Sequence, residues 1–260
     1  MTDKVLKRRE GKVAIVTLNR PEVHNCIDDD AAAHLNDTFD ELERDDAVNV
    51  VILTGAGRKS FCSGLDLKLL AQQGPALIPK VIFQDTGWAG IGKRFFPKPL
   101  IAALNGYTLA GGLELALSCD FAVASDTARL GFNEATLGPI ADAGGCFRLP
   151  RWVPLPLARE MIMRGKPISA RRALEAGLVN QVVPLDDLMS ATLEIANDIA
   201  ANSAVSMQIM KRLMAETANL PESKAWEIND RYMRESMRTE AFLEGPRAYV
   251  EKRRPEFSGR

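Results

Sequence analysis

Histidine is almost missing from this sequence, with only His24 and His34 in 260 residues. A Ser-His-Asp triad or a multi-histidine metal site would have to recruit one of them, and neither stands in a motif of that kind. Cysteine is nearly as sparse: Cys26, Cys62, Cys119 and Cys146 lie far apart and form no C-x-x-C pair. That spacing indicates neither a zinc site nor a disulfide framework, so no metal is expected, and reduced thiols in a cytoplasm are the simpler expectation. No apolar run approaches the roughly 18 residues of a membrane span. The charged segment 1–10 lacks the apolar stretch and cleavage site of a secretory signal. An excess of one charge is absent too: 33 Lys and Arg face 34 Asp and Glu, a net charge of −1. That balance gives no global electrostatic reason to expect nucleic acid, although local basic clusters remain available to a small anionic ligand.

What is present is a chain 46% hydrophobic and 26% charged, enough for one fairly large globular domain or a core with a helical appendage. Val13 to Leu18 reads as a strand ended by Asn19-Arg20-Pro21, and Asp30 to Arg44 as a helix with Ala31, Leu35, Phe39 and Leu42 on one stripe. Val48 to Thr54 is a short apolar run stopped by Gly55-Ala56-Gly57, the pattern of a strand buried on both faces. A loop over 58–64 leads to a short helix from about Asp66. Leu100 to Leu104 reads as a buried strand, 105–112 as a turn, Leu113 to Ser118 as a helix start and Phe121 to Ala124 as a returning strand. The alternation predicts an α/β core of repeated β-β-α-like units, with no repeat at the level of residue identity. From Asp186 onward nearly everything is helix-like, with an expected apolar stripe at Leu188, Ala191, Ile195 and Ile199. Trp226, Tyr232, Met233, Phe242 and Tyr249 in the tail are expected to pack on the core or on a neighbouring subunit. Between Leu69 and Phe96, several Gly and Pro residues predict an irregular, lid-like segment.

Glycine follows predicted strands at Gly55-Ala56-Gly57, Ser63-Gly64-Leu65 and Ala110-Gly111-Gly112, where it lets the backbone approach a ligand. The first cluster lacks the third glycine of a dinucleotide fingerprint and the Gly-Lys-Ser/Thr of a phosphate loop, so neither nucleotide reading is favoured. The stretch 105–116 differs, because it places Glu114 in the first turn of a helix whose free N–H groups can hold an oxyanion. Twenty residues on, Glu134 stands beside a second glycine-rich turn, Ala141-Asp142-Ala143-Gly144-Gly145. By spacing alone, both glutamates fit equally well as first-turn residues favoured by the helix dipole.

Several ordered blocks resemble the crotonase (enoyl-CoA hydratase/isomerase) superfamily. They are Phe61-Cys62-Ser63-Gly64-Leu65-Asp66-Leu67, the Asn105-Gly106-Tyr107 to Gly111-Gly112-Leu113-Glu114-Leu115-Ala116 stretch, and Gly131-Phe132-Asn133-Glu134 with Gly138-Pro139 and Gly144-Gly145. Arg148-Leu149-Pro150, Gly165 to Ala170 and Ala173 to Val179 extend the similarity, which runs from about Val13 to the C-terminus. The resemblance implies an α/β fold with a β-β-α spiral core over 1–190 and a C-terminal helical oligomerisation region over 191–260. It also implies a homotrimer or a dimer of trimers, and an acyl-CoA substrate with no separate cofactor. The thioester carbonyl would lie between the backbone N–H groups of Leu65 and Gly111, which stabilise the charge that builds on its oxygen. Segments 21–27 and 63–68 resemble those lining the CoA pocket, which implicates Asn25, Ser63, Gly64, Asp66 and Gly112, while Lys59 and Lys68 are candidates for the phosphates.

Within the family, fold does not decide the reaction. Glu114 and Glu134 match the two glutamates of the hydratases: Glu114 would orient and deprotonate water for attack at Cβ, and Glu134 would deliver or remove the proton at Cα. Asp142 departs from the common hydratase pattern, and either a catalytic role or a turn residue bonding its own backbone accounts for it. The Gly87-Trp88-Ala89-Gly90 stretch and the ending 244–253 resemble the carnitinyl-CoA dehydratase-like branch. The expected activity is therefore enoyl-CoA hydration, the alternative an enoyl- or dienoyl-CoA isomerase, and a third reading a catalytically silent acyl-CoA- or RNA-binding homologue. Pocket walls are expected from 69–96, where Trp88 and Phe95 fit either the substrate pocket or the core.

Overall fold

The computed structural model describes residues 3–257 of the chain. Its first strand, β1 (Val5–Glu10), turns at Gly11 and pairs antiparallel with the apolar β2 (Val13–Leu18). Asp28 caps helix α1 (Asp29–Arg44) by accepting the N–H of Ala31 at 2.8 Å, and the buried stripe Ala31, Leu35, Phe39 and Leu42 sets α1 against the core. The chain then repeats one unit three times: a strand in a large sheet, a three-residue strand in a second sheet, and a helix. The first unit is β3 (Val50–Gly55), β4 (Ser60–Cys62) and α2 (Leu67–Gln73), extended by a short α3 (Ile78–Val81). The second is β5 (Leu100–Leu104), β6 (Tyr107–Leu109) and α4 (Gly111–Ala116). The third is β7 (Phe121–Ser125), β8 (Arg129–Gly131) and, after a loop, α5 (Gly145–Trp152). Helix α6 (Leu155–Arg164), strand β9 (Ile168–Ser169), helix α7 (Ala170–Glu175) and strand β10 (Gln181–Val183) complete this part.

The large sheet has the order β1-β2-β3-β5-β7-β10 and is parallel from β2 onward; the small one is β4-β6-β8-β9, with only β8 and β9 antiparallel. The β-β-α progression expected from the sequence is thus present. Strands β4 and β6 lie in segments expected to be loop and turn, because three residues are too few to display a period. Strand β1 is also additional to the expectation: Lys7, Arg8, Arg9 and Glu10 are all exposed, so it carries no apolar alternation.

One face of the large sheet packs on α1 and the small-sheet layer; the other, through Val13, Ile15, Val50, Ile52, Ile101, Ala103 and Val123, is covered by α8 (Leu188–Ala200). The buried residues of α8 are Leu188, Thr192, Ala196 and Ala200, one position off the expected stripe at Leu188, Ala191, Ile195 and Ile199, which is only partly buried beyond Leu188. Small side chains at every fourth position let the helix lie close to the sheet, so size displaced hydrophobicity as the guide. A boundary at residue 190 falls inside this helix. Helices α9 (Ala204–Thr217), α10 (Glu222–Ser236) and α11 (Ala241–Val250) follow, with Arg231 and Tyr232 of α10 both bonded to Glu216 of α9. Trp226, Met233 and Tyr249 are exposed as the tail leaves them, whereas Tyr232 is buried.

The irregular segment before β5 is anchored at its far end. A Cβ on Gly90 would stand 2.5 Å from the Asn36 backbone of α1, and Arg94 bonds Asn36 at 3.1 Å, Glu43 at 3.2 Å and Asp40. Trp88 is thereby fixed at 2% exposure, while Phe95 remains 42% exposed.

Candidate active site

The loop after β4 and the start of α4 meet over one cavity of about 300 Å³. Ile27 and Leu65 form a parallel bridge, in which Ile27 N–H donates to Gly64 O at 2.8 Å and Asp66 N–H donates to Ile27 O at 2.9 Å. Those bonds leave the Leu65 N–H without an acceptor among the described residues. Gly64, at φ +91°, sits so close to the other loop that a Cβ there would lie 3.0 Å from the Gly111 nitrogen. The Gly111 N–H, first in α4, likewise has no acceptor among the described residues. Both residues line the cavity, so two unspent backbone donors stand together at its wall. Ala110 turns the second donor there: it adopts φ +51°, ψ −129°, a conformation that costs a residue with a Cβ about 1–3 kcal/mol.

Trp88 holds the same peptide from outside. Its indole Nε1–H donates to Gly111 O at 2.7 Å, and a Cβ on Gly111 would strike the ring at 2.6 Å. Gly111 is therefore required for close contact with the indole.

Three carboxyl groups reach the cavity. Glu114 is 3% exposed and its Oε1 accepts the Gly145 N–H at 2.8 Å. Burial, with repulsion from Glu134 and Asp142, pushes its pKa up to about 8, against the opposing pull of the Gly145 and Ala143 N–H groups. Glu134 begins a 3-10 turn, Glu134–Thr136, and is 8% exposed. Burial raises its pKa as well, with Asp142 adding to the shift and the backbone N–H groups of Glu134 and Asn133 opposing it. Its Oε2 is buried without a hydrogen-bond partner. Asp142 stands exposed at the rim, and loss of water on its cavity side pushes it upward too. Apart from Ser63 and Asn133 the remaining wall is apolar: Leu65, Leu70, Ile78, Ile82 and Trp88 inside, with Leu67, Leu137 and Ile140 exposed at the mouth.

Arg148 ties these parts together. Its guanidinium donates to Ser118 Oγ at 2.9 Å, to Ala143 O at 3.3 Å and to Gly92 O at 2.6 Å, linking the end of α4, the turn that bonds Glu114 and the segment that carries Trp88. Ser118 Oγ in turn donates to Glu114 O at 2.9 Å.

The structure brings Glu114, Glu134, Leu65, Gly111, Ser63, Trp88 and Asp142 to the cavity lining. Four other candidates are placed elsewhere. Asn25, at φ +54° and 1% exposed, uses its side chain to bond Arg20 N–H, Ala56 O and Ser60 O at 2.7–3.0 Å, which holds the loop. Asp66 caps α2 through the N–H groups of Lys68 and Leu69 and pairs with Arg20 at 3.0 Å. Gly112 is a packing glycine: a Cβ would be 2.0 Å from Cys62 O, so its absence lets α4 seat on β4. Gly64 is adjacent to the donors without lining the cavity. Lys59 and Lys68 are exposed, and Lys59 borders a separate cleft with Pro21 and Asn25. Ala110, Asn133 and Ala143 belong to the site and escaped the sequence reading; only Asn133, directly before Glu134, carried a visible polar signal. Among the described residues, no cluster of three His, Cys, Asp or Glu is arranged to hold a metal ion, and no helix is long and apolar enough to cross a membrane.

Comparison with known proteins adds a consistent set of relatives. Residues 8–260 match the family described as enoyl-CoA hydratase/isomerase. The sequence is 37% identical over 255 residues to a carnitinyl-CoA dehydratase of Proteus mirabilis, covering 96% of each chain. It is 36% identical over 269 residues to that of Salmonella typhi, covering 100% of each. The fold superposes on an enoyl-CoA hydratase from Bacillus anthracis with a TM-score of 0.92 at 33% identity, covering 99% of this chain and 100% of that one. An enoyl-CoA hydratase from Mycobacterium tuberculosis H37Rv gives 0.92 and 33%, with 99% of both covered.

Proposed function

Because the chain belongs to the enoyl-CoA hydratase/isomerase family, the crotonases, we propose that it reversibly eliminates and adds water across the C2–C3 bond of an acyl-CoA thioester. The observation that carries this reading is the meeting of two unspent backbone donors with two buried carboxyls in one largely apolar cavity. The thioester oxygen accepts from Leu65 N–H and Gly111 N–H, each donor being worth roughly 3–4 kcal/mol as charge builds in the enolate. Glu134 as carboxylate takes the Cα proton. Glu114 as carboxylic acid gives its proton to the hydroxyl leaving Cβ, so that water departs and one proton has moved from Glu114 to Glu134. Hydration runs the same steps backward, with Glu114 deprotonating water and Glu134 protonating Cα.

The pKa of Glu114 near 8 keeps it protonated at neutral pH, which is the arrangement elimination starts from. The names of the carnitinyl-CoA dehydratase relatives support removal of water as well. Both directions need one proton shared between the two carboxyls, and the reaction exchanges none with solvent. Their pH profiles therefore coincide, and both fall as the pair loses that proton above about pH 8. Coenzyme A enters as part of the substrate, with no separate cofactor, and Lys59 and Lys68 are available for its phosphates. The exposed Met210, Met214, Trp226, Met233 and Met237 of α9, α10 and the turn after it support assembly into a homotrimer or a dimer of trimers.

The test is loss or gain of enoyl-thioester absorbance with crotonyl-CoA and 3-hydroxybutyryl-CoA, comparing wild type with Glu114→Ala and Glu134→Ala. Interconversion by wild type, reduced at least about 10³-fold by either substitution, is expected. Double-bond migration without hydration, surviving Glu114→Ala, would assign an isomerase instead.

A further inference from the structure

Each of the two unspent donors is one end of a peptide unit, and the other ends are held differently. The Gly111 N–H shares its peptide with Ala110 O, which accepts the N–H groups of Leu113 and Glu114 at 2.8 and 3.1 Å in the first turn of α4. The Leu65 N–H shares its peptide with Gly64 O, which accepts the Ile27 N–H at 2.8 Å. That N–H belongs in turn to the peptide of Cys26, whose carbonyl oxygen accepts Nη1–H of Arg20 at 2.8 Å. A row of two peptides, linked head to tail, therefore runs from a guanidinium to the cavity wall.

Arg20 is built into this place. Its side chain is 15% exposed, and its other terminal nitrogen, Nη2, pairs with Asp66 at 3.0 Å and with Asp28 at 3.2 Å. Its backbone is held by Asn25, whose Oδ1 accepts the Arg20 N–H at 3.0 Å and whose N–H donates to Arg20 O at 2.8 Å. Because Asp66 N–H also donates to Ile27 O at 2.9 Å, the guanidinium grips both chains of the bridge between Ile27 and Leu65. A charged donor polarises the amide that receives its bond, and along a chain of such bonds each one strengthens the next by about 10–30%.

We propose that Arg20 is a positioning residue for the reaction: it fixes and polarises the peptides joining Cys26 to Ile27 and Gly64 to Leu65, and so strengthens the Leu65 N–H as a donor to the thioester oxygen. This rests on the reading of Leu65 as an oxyanion donor given above. Arg20 does not line the cavity, and Asp28 and Asp66 offset its charge at longer range, so the hydrogen-bonded row is the path of its effect.

The experiment compares wild type with Arg20→Gln and Arg20→Lys. Butyryl-CoA, isotopically labelled at the thioester carbonyl and with no double bond to hydrate, is the probe, and the infrared stretch of its bound carbonyl reads the strength of the donors. Turnover is followed with crotonyl-CoA. The bound carbonyl stretch is expected to move back toward its frequency in free butyryl-CoA, further in Arg20→Gln than in Arg20→Lys. In Arg20→Gln, kcat should fall about fivefold with KM within about twofold of wild type. A folded variant whose bound carbonyl keeps the wild-type frequency overturns the proposal whether or not kcat falls, and Arg20→Lys decides if Arg20→Gln does not fold. A wild type that shifts the carbonyl but hydrates nothing removes the hydro-lyase reading and leaves this inference to the infrared comparison. A wild type that leaves the carbonyl of butyryl-CoA unshifted overturns the inference even where it hydrates crotonyl-CoA.

Discussion

Along α4 most polar groups of the cavity are tied to protein, Glu114 to the Gly145 N–H, Gly111 O to the Trp88 indole, and the end of the helix to Arg148 through Ser118, with the Gly111 N–H left unspent. Along 133–142 the reverse holds. Asn133 and Glu134 keep free oxygens, Gly138 at φ +103° touches nothing a Cβ would meet, and Leu137 and Ile140 stand in solvent. A wall that is already satisfied presents fixed charges and donors to the reacting atoms, while an unsatisfied wall waits for groups that the ligand brings. On the proposed reading, the first wall would supply preorganisation and the second selection.

The largest effect that separates the two is expected from Gly111→Ala. The added methyl meets the Trp88 ring at 2.6 Å, so the N–H donor is displaced and turnover should drop by about 10²-fold. Turnover near wild type would remove Gly111 from the catalytic wall. Next is Glu114→Gln, followed by thermal unfolding at pH 5 and pH 8. With a folded-state pKa near 8 against an ordinary 4.5, Glu114 adds stability below about pH 4.5 that is lost as pH rises through 8. Glutamine has no charged form to bury, so the variant should melt about 5 °C above wild type at pH 8 and much closer to it at pH 5. An unchanged difference across that range would mean that Glu114 is not held neutral. Trp88→Phe keeps most of the ring packing and loses the bond to Gly111 O; kcat should fall about tenfold with KM within about twofold. A change in KM alone would make Trp88 part of the selecting wall. The smallest effect belongs to Ile140→Ala at the mouth, 73% exposed, where KM should rise about twofold with kcat and melting temperature unchanged.

How much of this was legible in the sequence depended on how much of each element's signal is local. Strands β2 and β5 match the sequence reading residue for residue because they are continuous apolar runs between clear breakers. Helix α1 differs by one residue, its start being set by the Asp28 cap. The small sheet was hidden, since a three-residue strand such as β4 is defined only by the neighbour it pairs with. Glu114, Glu134, Gly111 and Leu65, singled out through ordered motifs, come together in the lining of one cavity. Asn25 and Asp66 are bonded within the loops rather than set in the cavity lining, a difference the sequence does not show because polar residues near a glycine-rich loop look alike whether they line a cavity or hold the loop. The strained backbone at Ala110 left no trace, as alanine at a position with positive φ is not what composition predicts.

The two ends of the large sheet offer a last consequence. Every sheet that stops must leave backbone donors and acceptors along its outer strands, and those can recruit another chain into a growing β-aggregate. Here one edge is β1, whose Lys7, Arg8, Arg9 and Glu10 are exposed, and the other is β10, only three residues long. Charge at one edge and brevity at the other deny an incoming strand a flat, apolar template, which favours solubility at high concentration without any contribution to the chemistry of the cavity.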